Sequence, residues 1–372
     1  MDFNFSDDQQ QLRDAVAKWV DKGYDFERRK KIVAAGGFDR AAYDELADLG
    51  LAGLYVSEEH GGLGLGPIEA MVVMEELGRG IVLEPLAQTL VTSAAIGAFG
   101  TPEVQAAWLP RIASGEALVV LAQQERKARY RLDVCAAQAS AAPGGAYALT
   151  GLKNVVPAGD QADAFVVPAQ LDGKLALFLV ERGAAGVATR GYPTQDESRA
   201  ADVQFDSAPA ALVTTDGLAA LRYAVDVGIA CACATGTGAM DKTLALTTEY
   251  MNQRKQFGVT IASFQALRHR VADMKMQLEL ARSMSYYASL KLGTPEAERR
   301  LALSSAKVQL GQSLRYVGQQ SVQLHGGIGV TDEYAGSHYF KVLTQLEMTW
   351  GDTLHHLGEV SDHMQDTAGV FV

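Results

Sequence analysis

The spacing of apolar and polar positions along this chain changes period twice. From the start to about residue 115 the period is helical. Asp7–Lys18 sets apolar residues at helical intervals on a polar background, and Phe38–Leu51 reads as a helix closing on Gly50. Glycines at 61, 62, 64 and 66 then predict a flexible loop, and Pro67 is well placed to open a helix at its first turn. Ala87–Gly100 and Glu103–Ile112 add two amphipathic helices, the second entered through Thr101-Pro102.

Near residue 115 the pattern shortens. Ala117–Gln123, Ala146–Leu149, Asp163–Gln170 and Lys174–Glu181 are short, β-branched or apolar, and punctuated by clusters such as AAPGG. Asp202–Phe205 alternates with period two. The helical period returns from about Asp216, in Leu218–Gln253, Phe264–Leu292, Pro295–Leu324 and a last segment near Asp352–Met364. Few loops interrupt these, which predicts a long antiparallel bundle. The expected architecture is α+β: a helical domain over 1–115, a β-barrel or sandwich over 116–212, and a C-terminal four-helix bundle over 213–372.

Composition narrows the function. The 372 residues are 48% hydrophobic and 21% charged, enough for substantial cores. A net charge of −11 disfavours nucleic acid, whose phosphates need clustered positive charge. Of three cysteines, Cys231 and Cys233 stand two apart in a helical pattern and face differently, so free thiols in a reducing cytoplasm are expected. Met1–Asp8 is polar and acidic, unlike a secretory signal, and the apolar window Val225–Met240 carries Asp226 and is too short to span a bilayer. No membrane partner is expected. The glycine loop lacks the lysine of a phosphate loop, so a nucleoside-triphosphate site is rejected. His355 and His356 are adjacent, cannot both face one metal from a helix, and have no cluster of ligands beside them; no metal site is read.

Two stretches carry candidate chemistry. Gln323–Tyr334, QLHGGIGVTDEY, sets three glycines behind a glutamine and a histidine, a break where backbone turns sharply and a ligand can approach. Upstream, Arg254–Met274 reads RKQFGVTIASFQALRHRVADM; Arg254 offers a planar fork of donors suited to pyrophosphate. Lys255 and His269 fit no role and are taken as solvated. In this order and spacing, the two stretches resemble the acyl-CoA dehydrogenase family of flavoproteins, whose pattern R-x-x-F-G, then F-Q, leads to Q-x-x-G-G-x-G. The order of helical, β and helical domains agrees with that fold over nearly the whole chain. The glycine loop resembles the family's P-x-x-x-G-G-x-G loop, with Val56 replacing the proline.

The resemblance implies FAD as cofactor. Arg254, Gln256, Phe257, Ile261 and Phe264 would reach across a subunit interface to the ADP half of a neighbour's FAD, with Gln323 and Gly327 completing the patch. The protein would then work as a homo-oligomer, dimer or tetramer, or as a heterotetramer with a sister subunit. The implied reaction is α,β-dehydrogenation of an acyl-CoA, with electrons passed to an electron-transfer flavoprotein. A carboxylate removes the α-proton, best when burial disfavours its charged form. Glu347 matches the glutamate of the family's Y-E-G-T segment and Thr349 its threonine, although Met348 replaces the glycine and Leu346 the aromatic. The alternative position for the base, early in the bundle's first helix, holds Gly228, with Ile229 beside it.

Departures concentrate in the β domain. The family's T-E-P-x-x-G-S-D is QQERKARYR here, Gln123–Arg131, with Gln124 for the threonine and Tyr130 for the serine; the Gln124 amide would still serve a flavin carbonyl. Val155 stands where a tryptophan shields the ring, and Pro157, with no N–H, where a threonine binds it. Q-x-E-x-x-x-R-Y, G-x-K and H-G-G-I-G-V-T-x-E-Y-x-x-x-H-Y-F are similar to the small subunit of pimeloyl-CoA dehydrogenase and to the paired dehydrogenases of sterol side-chain breakdown. In such pairs two subunits share each flavin site and one can lack the base. The alternative expectation is therefore a non-catalytic partner subunit lending the ADP side of a shared site. Small residues at Gly228, Ala230, Ala232 and Ala234 either open room for a bulky acyl group or serve close helix packing.

Overall fold

The structure, a computed structural model, describes residues 5–142 and 146–367, the side chains of the last three excepted. The Pro143–Gly145 part of the AAPGG cluster lies outside the described residues. The chain forms two compact units, each built from separate stretches.

The first comprises Lys30–Gly66 and Leu83–Gly228. Its strands are β1 (Val119–Leu121), β2 (Gln138–Ala141), β3 (Tyr147–Pro157), β4 (Ala164–Leu171), β5 (Lys174–Glu181), β6 (Val187–Pro193) and β7 (Arg199–Thr214). The pairing runs β4–β2–β3–β7–β5 and returns from β5 to β4. That ring is closed, so the barrel is the form adopted. β4 and β5 pair residue for residue through the Asp172-Gly173 turn, where both residues have positive φ as a two-residue hairpin requires. β7 is the spine, with β3 along one edge and β6 then β5 along the other. Inside, Phe165 and Phe205 meet edge to face at 6.0 Å, beside Phe178. Full burial of each such ring is worth roughly 1.5–3 kcal/mol. Strands β2 and β6 were not legible, because both are short, polar and largely exposed; pairing to β3 and β7 makes them strands.

The same unit holds α3 (Arg40–Asp48), α5 (Leu86–Phe99) and α6 (Pro102–Ala113), the last capped by Thr101 and opened by Pro102 as expected. Its glycine loop is tied by backbone hydrogen bonds. Gly64 N–H donates to Val56 O (2.8 Å) and Leu63 N–H to Gly53 O (2.9 Å). A Cβ on Gly62 would sit 2.1 Å from Val56 O, so glycine serves close packing there.

The second unit comprises the N-terminal stretch to Arg29, Pro67–Val82 and the chain from Ile229 on. Here α1 (Asp7–Gly23) opens with a Ser6/Gln9 capping box, and Arg13 ties it to Glu76 of α4 (Pro67–Arg79) at 2.9 Å. A further helix, α2 (Phe26–Ala34), begins in this unit and continues in the first; it was missed in the sequence because FERRKKIVA is too charged for a clear apolar stripe. The long α7 (Gly217–Gln253) begins in the first unit and continues in the second. α8 (Gln265–Lys291), α10 (Ala335–Met348) and α11 (Thr353–Thr367) all pack on α9 (Glu296–His325).

One expectation about α7 needs correction. The helix is 37 residues long with a window of mean hydropathy 1.5, long and apolar enough to cross a membrane by length and composition. Its polar residues hide in the helix: the hydroxyls of Thr235, Thr237, Thr243 and Thr247 each donate to the carbonyl four residues back. In this fold 78% of that window is buried inside the protein. Cys231 and Cys233 are both buried and free, so both helix faces are covered; Cys135 is free and half-buried.

Candidate active site

α7 stops at Gln253 and the chain reverses through a hairpin of β8 (Lys255–Gln256) and β9 (Val259–Thr260). Its two-residue loop is Phe257-Gly258, with φ of 54° and 81°. A left-handed backbone suits Gly258 but costs a bulky residue about 1–2 kcal/mol. Phe257 accepts that strain while 91% exposed, and meets the exposed Phe264 edge to face at 6.1 Å. Ile261, by contrast, is buried and its N–H donates to Arg254 O at 2.8 Å, which anchors the hairpin.

α9 ends at His325, and Gly326–Val330 forms a short 3-10 turn. His325 Nδ1–H donates to Ser321 O (2.8 Å), and the Tyr334 hydroxyl donates to Nε2 (2.8 Å). Tyr250, one turn before the hairpin, lies tilted against His325 with ring centroids 4.6 Å apart. This aromatic knot brings the ends of α7 and α9 together, and with them the hairpin, Gln323 and Gly327. Burial pushes the Tyr334 phenol up to about 12 and the His325 imidazole down, so both rings stay neutral near neutral pH.

The polar groups on this face turn away from their own chain. Arg254 and Gln323 are exposed and have no side-chain hydrogen bond among the described residues, and the Gln256 amide donates only to the adjacent Lys255 O. A guanidinium, two amides, an open glycine backbone and an uncovered aromatic pair fit a diphosphate joined to a planar base. That is the ADP half of the FAD implied by the resemblance.

Glu347 lies on the last turn of α10, and is 9% exposed. Its Oε1 accepts Thr353 N–H (3.1 Å) and Thr353 Oγ1–H (2.7 Å), with Arg315 at 3.6 Å. Its Oε2 carries no hydrogen bond among the described residues. Gly311 permits this approach, since a Cβ there would lie 2.1 Å from Thr353 Oγ1. Thr349 donates its hydroxyl to Gln345 O at 2.9 Å, closing α10.

In the barrel unit, half-buried Gln124 sits in the loop before β2, and its carbonyl accepts Asn154 N–H at 2.8 Å. Two neighbours that the sequence reading assigned no role hold this loop. Lys153 Nζ donates to Glu125 Oε1 at 2.7 Å, wholly sealed from solvent, and Glu125 also accepts the N–H groups of Ala136 and Ala137. Burial pushes the Glu125 carboxyl up, but the hydrogen bond and charge of Lys153 with the two N–H groups hold it below the ordinary range. The signal was present: these are the E of Q-x-E and the K of G-x-K. Val155 adopts φ of 50° at a bulge in β3, an outlier for a β-branched residue, and is exposed. Gly228 is buried in α7.

Comparison with known proteins gives the family of the chain. The family described as "Acyl-CoA dehydrogenase, N-terminal domain" matches residues 6–116, and "Acyl-CoA dehydrogenase, C-terminal domain" matches 215–358. The chain is 27% identical to acyl-CoA dehydrogenase FadE27 of Mycobacterium tuberculosis, over 99% of this chain and 100% of that protein. It is 32% identical to acyl-CoA dehydrogenase IpdE2 of the same organism, over 90% of each. A chain in the crystal structure of the ChsE4-ChsE5 complex from Mycobacterium tuberculosis superimposes with a TM-score of 0.88 at 26% identity, covering 99% of this chain and 100% of that one.

Proposed function

We propose, from the premise that this chain belongs to the acyl-CoA dehydrogenase family of FAD-dependent oxidoreductases, that it oxidises an acyl-CoA between Cα and Cβ with Glu347 as the base. The observation carrying this reading is the split use of the Glu347 carboxylate. Oε1 is fixed by Thr353, while Oε2 is left without a partner to take the α-proton. FAD, when bound, supplies the acceptor for the hydride that leaves Cβ. Arg254, Gln256, Phe257, Phe264, Gln323 and Gly327 would hold the ADP half of a neighbouring subunit's FAD, anchored through Ile261. Thr349 and Gln124 are proposed as flavin contacts. An electron-transfer flavoprotein is the proposed acceptor, and the cytoplasm the proposed compartment. Glu347→Gln should keep FAD bound and lose bleaching of the flavin by acyl-CoA in an anaerobic titration; bleaching at the wild-type rate would sink the assignment.

A second reading is favoured by Val155 and Pro157, which stand where the family pattern has a tryptophan and a threonine against the flavin. In it the chain is one half of a heteromer, as ChsE4 is of the ChsE4-ChsE5 complex, and lends its ADP-side patch to a sister subunit. The absorption spectrum of the chain purified alone separates the two. Flavin that bleaches with an acyl-CoA supports the self-sufficient enzyme; flavin that appears only on co-expression with a sister chain supports the heteromer.

A further inference from the structure

The turn that carries Glu347 and Thr349 is built around a lysine that neither reading uses. Lys307 enters from α9 and is wholly buried. Its Nζ donates to three carbonyls: Leu346 O (3.0 Å), Glu347 O (2.8 Å) and Gly351 O (2.9 Å). The first two belong to the last turn of α10, where carbonyls lack helical partners and the helix end favours a cation. The third lies beyond a reversal in which Trp350 and Gly351 both have positive φ. His356 braces the reversal from α11. Its Nε2–H donates to Trp350 O (3.0 Å), and Ser304 Oγ–H donates to its Nδ1 (3.1 Å). Ser304, Lys307, Gly311 and Arg315 thus present one face of α9 to this turn.

We propose that Lys307 is the positioning residue of the base: its three hydrogens pin the backbone of Glu347 and of the reversal after it, and so fix where Oε2 points. The proposal deepens the reading of Glu347 as base and rests on it. Three carbonyls use all three hydrogens of an ammonium. A neutral amine has two hydrogens and a lone pair, so it must release one carbonyl. Burial holds Lys307 down to about 8, against the pull of Cys233 on α7, Glu347 on α10 and Asp352 in the turn. Cys233 and His356 do not titrate near that pH. Burial pushes Cys233 up to about 12, and burial with the Lys307 charge pushes His356 down to about 3, with His355 and Arg300 adding to the same effect. Arg315 faces Glu347 from a mostly exposed position.

The test is stopped-flow reduction of the flavin by an acyl-CoA in the holoenzyme, from pH 6.5 to 9.5. The wild type should lose rate through about pH 8, with little change in acyl-CoA affinity. Lys307→Met should be slower by at least about tenfold at pH 7, as expected for a displaced reacting group, with substrate affinity retained and the alkaline limb gone. A Lys307→Met enzyme that reduces its flavin at the wild-type rate, or keeps the limb, overturns the proposal. If that variant does not hold FAD, the wild-type profile decides: no limb between pH 7 and 9.5 overturns it. Glu347→Gln run alongside separates the two claims. Bleaching at the wild-type rate in that variant removes the base and this proposal together, whereas wild-type-rate bleaching in Lys307→Met alone removes only this one.

Discussion

Lys153 in the barrel unit and Lys307 in the helical unit are both sealed from water, yet their charges are met differently. Lys153 faces a carboxylate, Glu125, itself clamped by two backbone N–H groups. Lys307 hydrogen-bonds only carbonyl oxygens among the described residues. An ion pair meets charge with charge, so removing either member strands the other in low dielectric. A carbonyl cage meets charge with dipoles, so the proton remains exchangeable in the range where enzymes work. One arrangement suits a loop that must stay put; the other couples geometry to pH.

The largest effect should come from breaking the ion pair. Lys153→Met leaves Glu125 buried and alone and should cost about 3–5 kcal/mol in chemical denaturation. The double variant with Glu125→Gln should recover much of that. A single variant within about 1 kcal/mol of wild type would mean the pair holds nothing. Next comes Lys307→Met, at about 1–3 kcal/mol, since three carbonyls lose a donor but no opposite charge is stranded. Its sign with pH sharpens the contrast. The folded value of about 8 lies below the ordinary 10.5, so between the two the unfolded chain binds more protons. Wild-type stability should therefore gain from this group as pH rises from about 8 to 10.5, and that gain should vanish in Lys307→Met. The smallest effect is a lysine in water. Lys275 pairs with Glu279 on the surface of α8 at 2.6 Å, and Lys275→Met should change stability by about 0.5 kcal/mol or less.

The fold was legible where period and length agreed. The long helices, the strands that flank Asp172-Gly173 and the Thr101-Pro102 helix start all follow from local chemistry. The closure of the barrel was not, because β2 and β6 become strands only through partners distant in sequence. At the site, the hairpin and the glycine turn were visible as motifs, and the Glu125–Lys153 pair was spelled in letters whose contact could not be guessed. Lys307 left a fainter trace. It occupies the stripe of Leu303, Leu310, Leu314 and Val317 at helical spacing, so a charged residue was already standing in an apolar row. The strain at Val155 left none, since a valine in a strand pattern reads as ordinary β structure.

The hairpin after α7 has one more consequence. Its tip bears the most uncovered large apolar side chain among the described residues, on a reversed backbone between two helices. A protease that cuts after aromatic residues would find its preferred residue displayed there on the free subunit. A nick at Phe257 would sever α7 from α8 in the covalent chain, with the later part of α7 and the whole of α8 still in the same unit. The unassembled protein thus carries its own tell-tale, a single cut whose disappearance would report that another chain has closed over the tip.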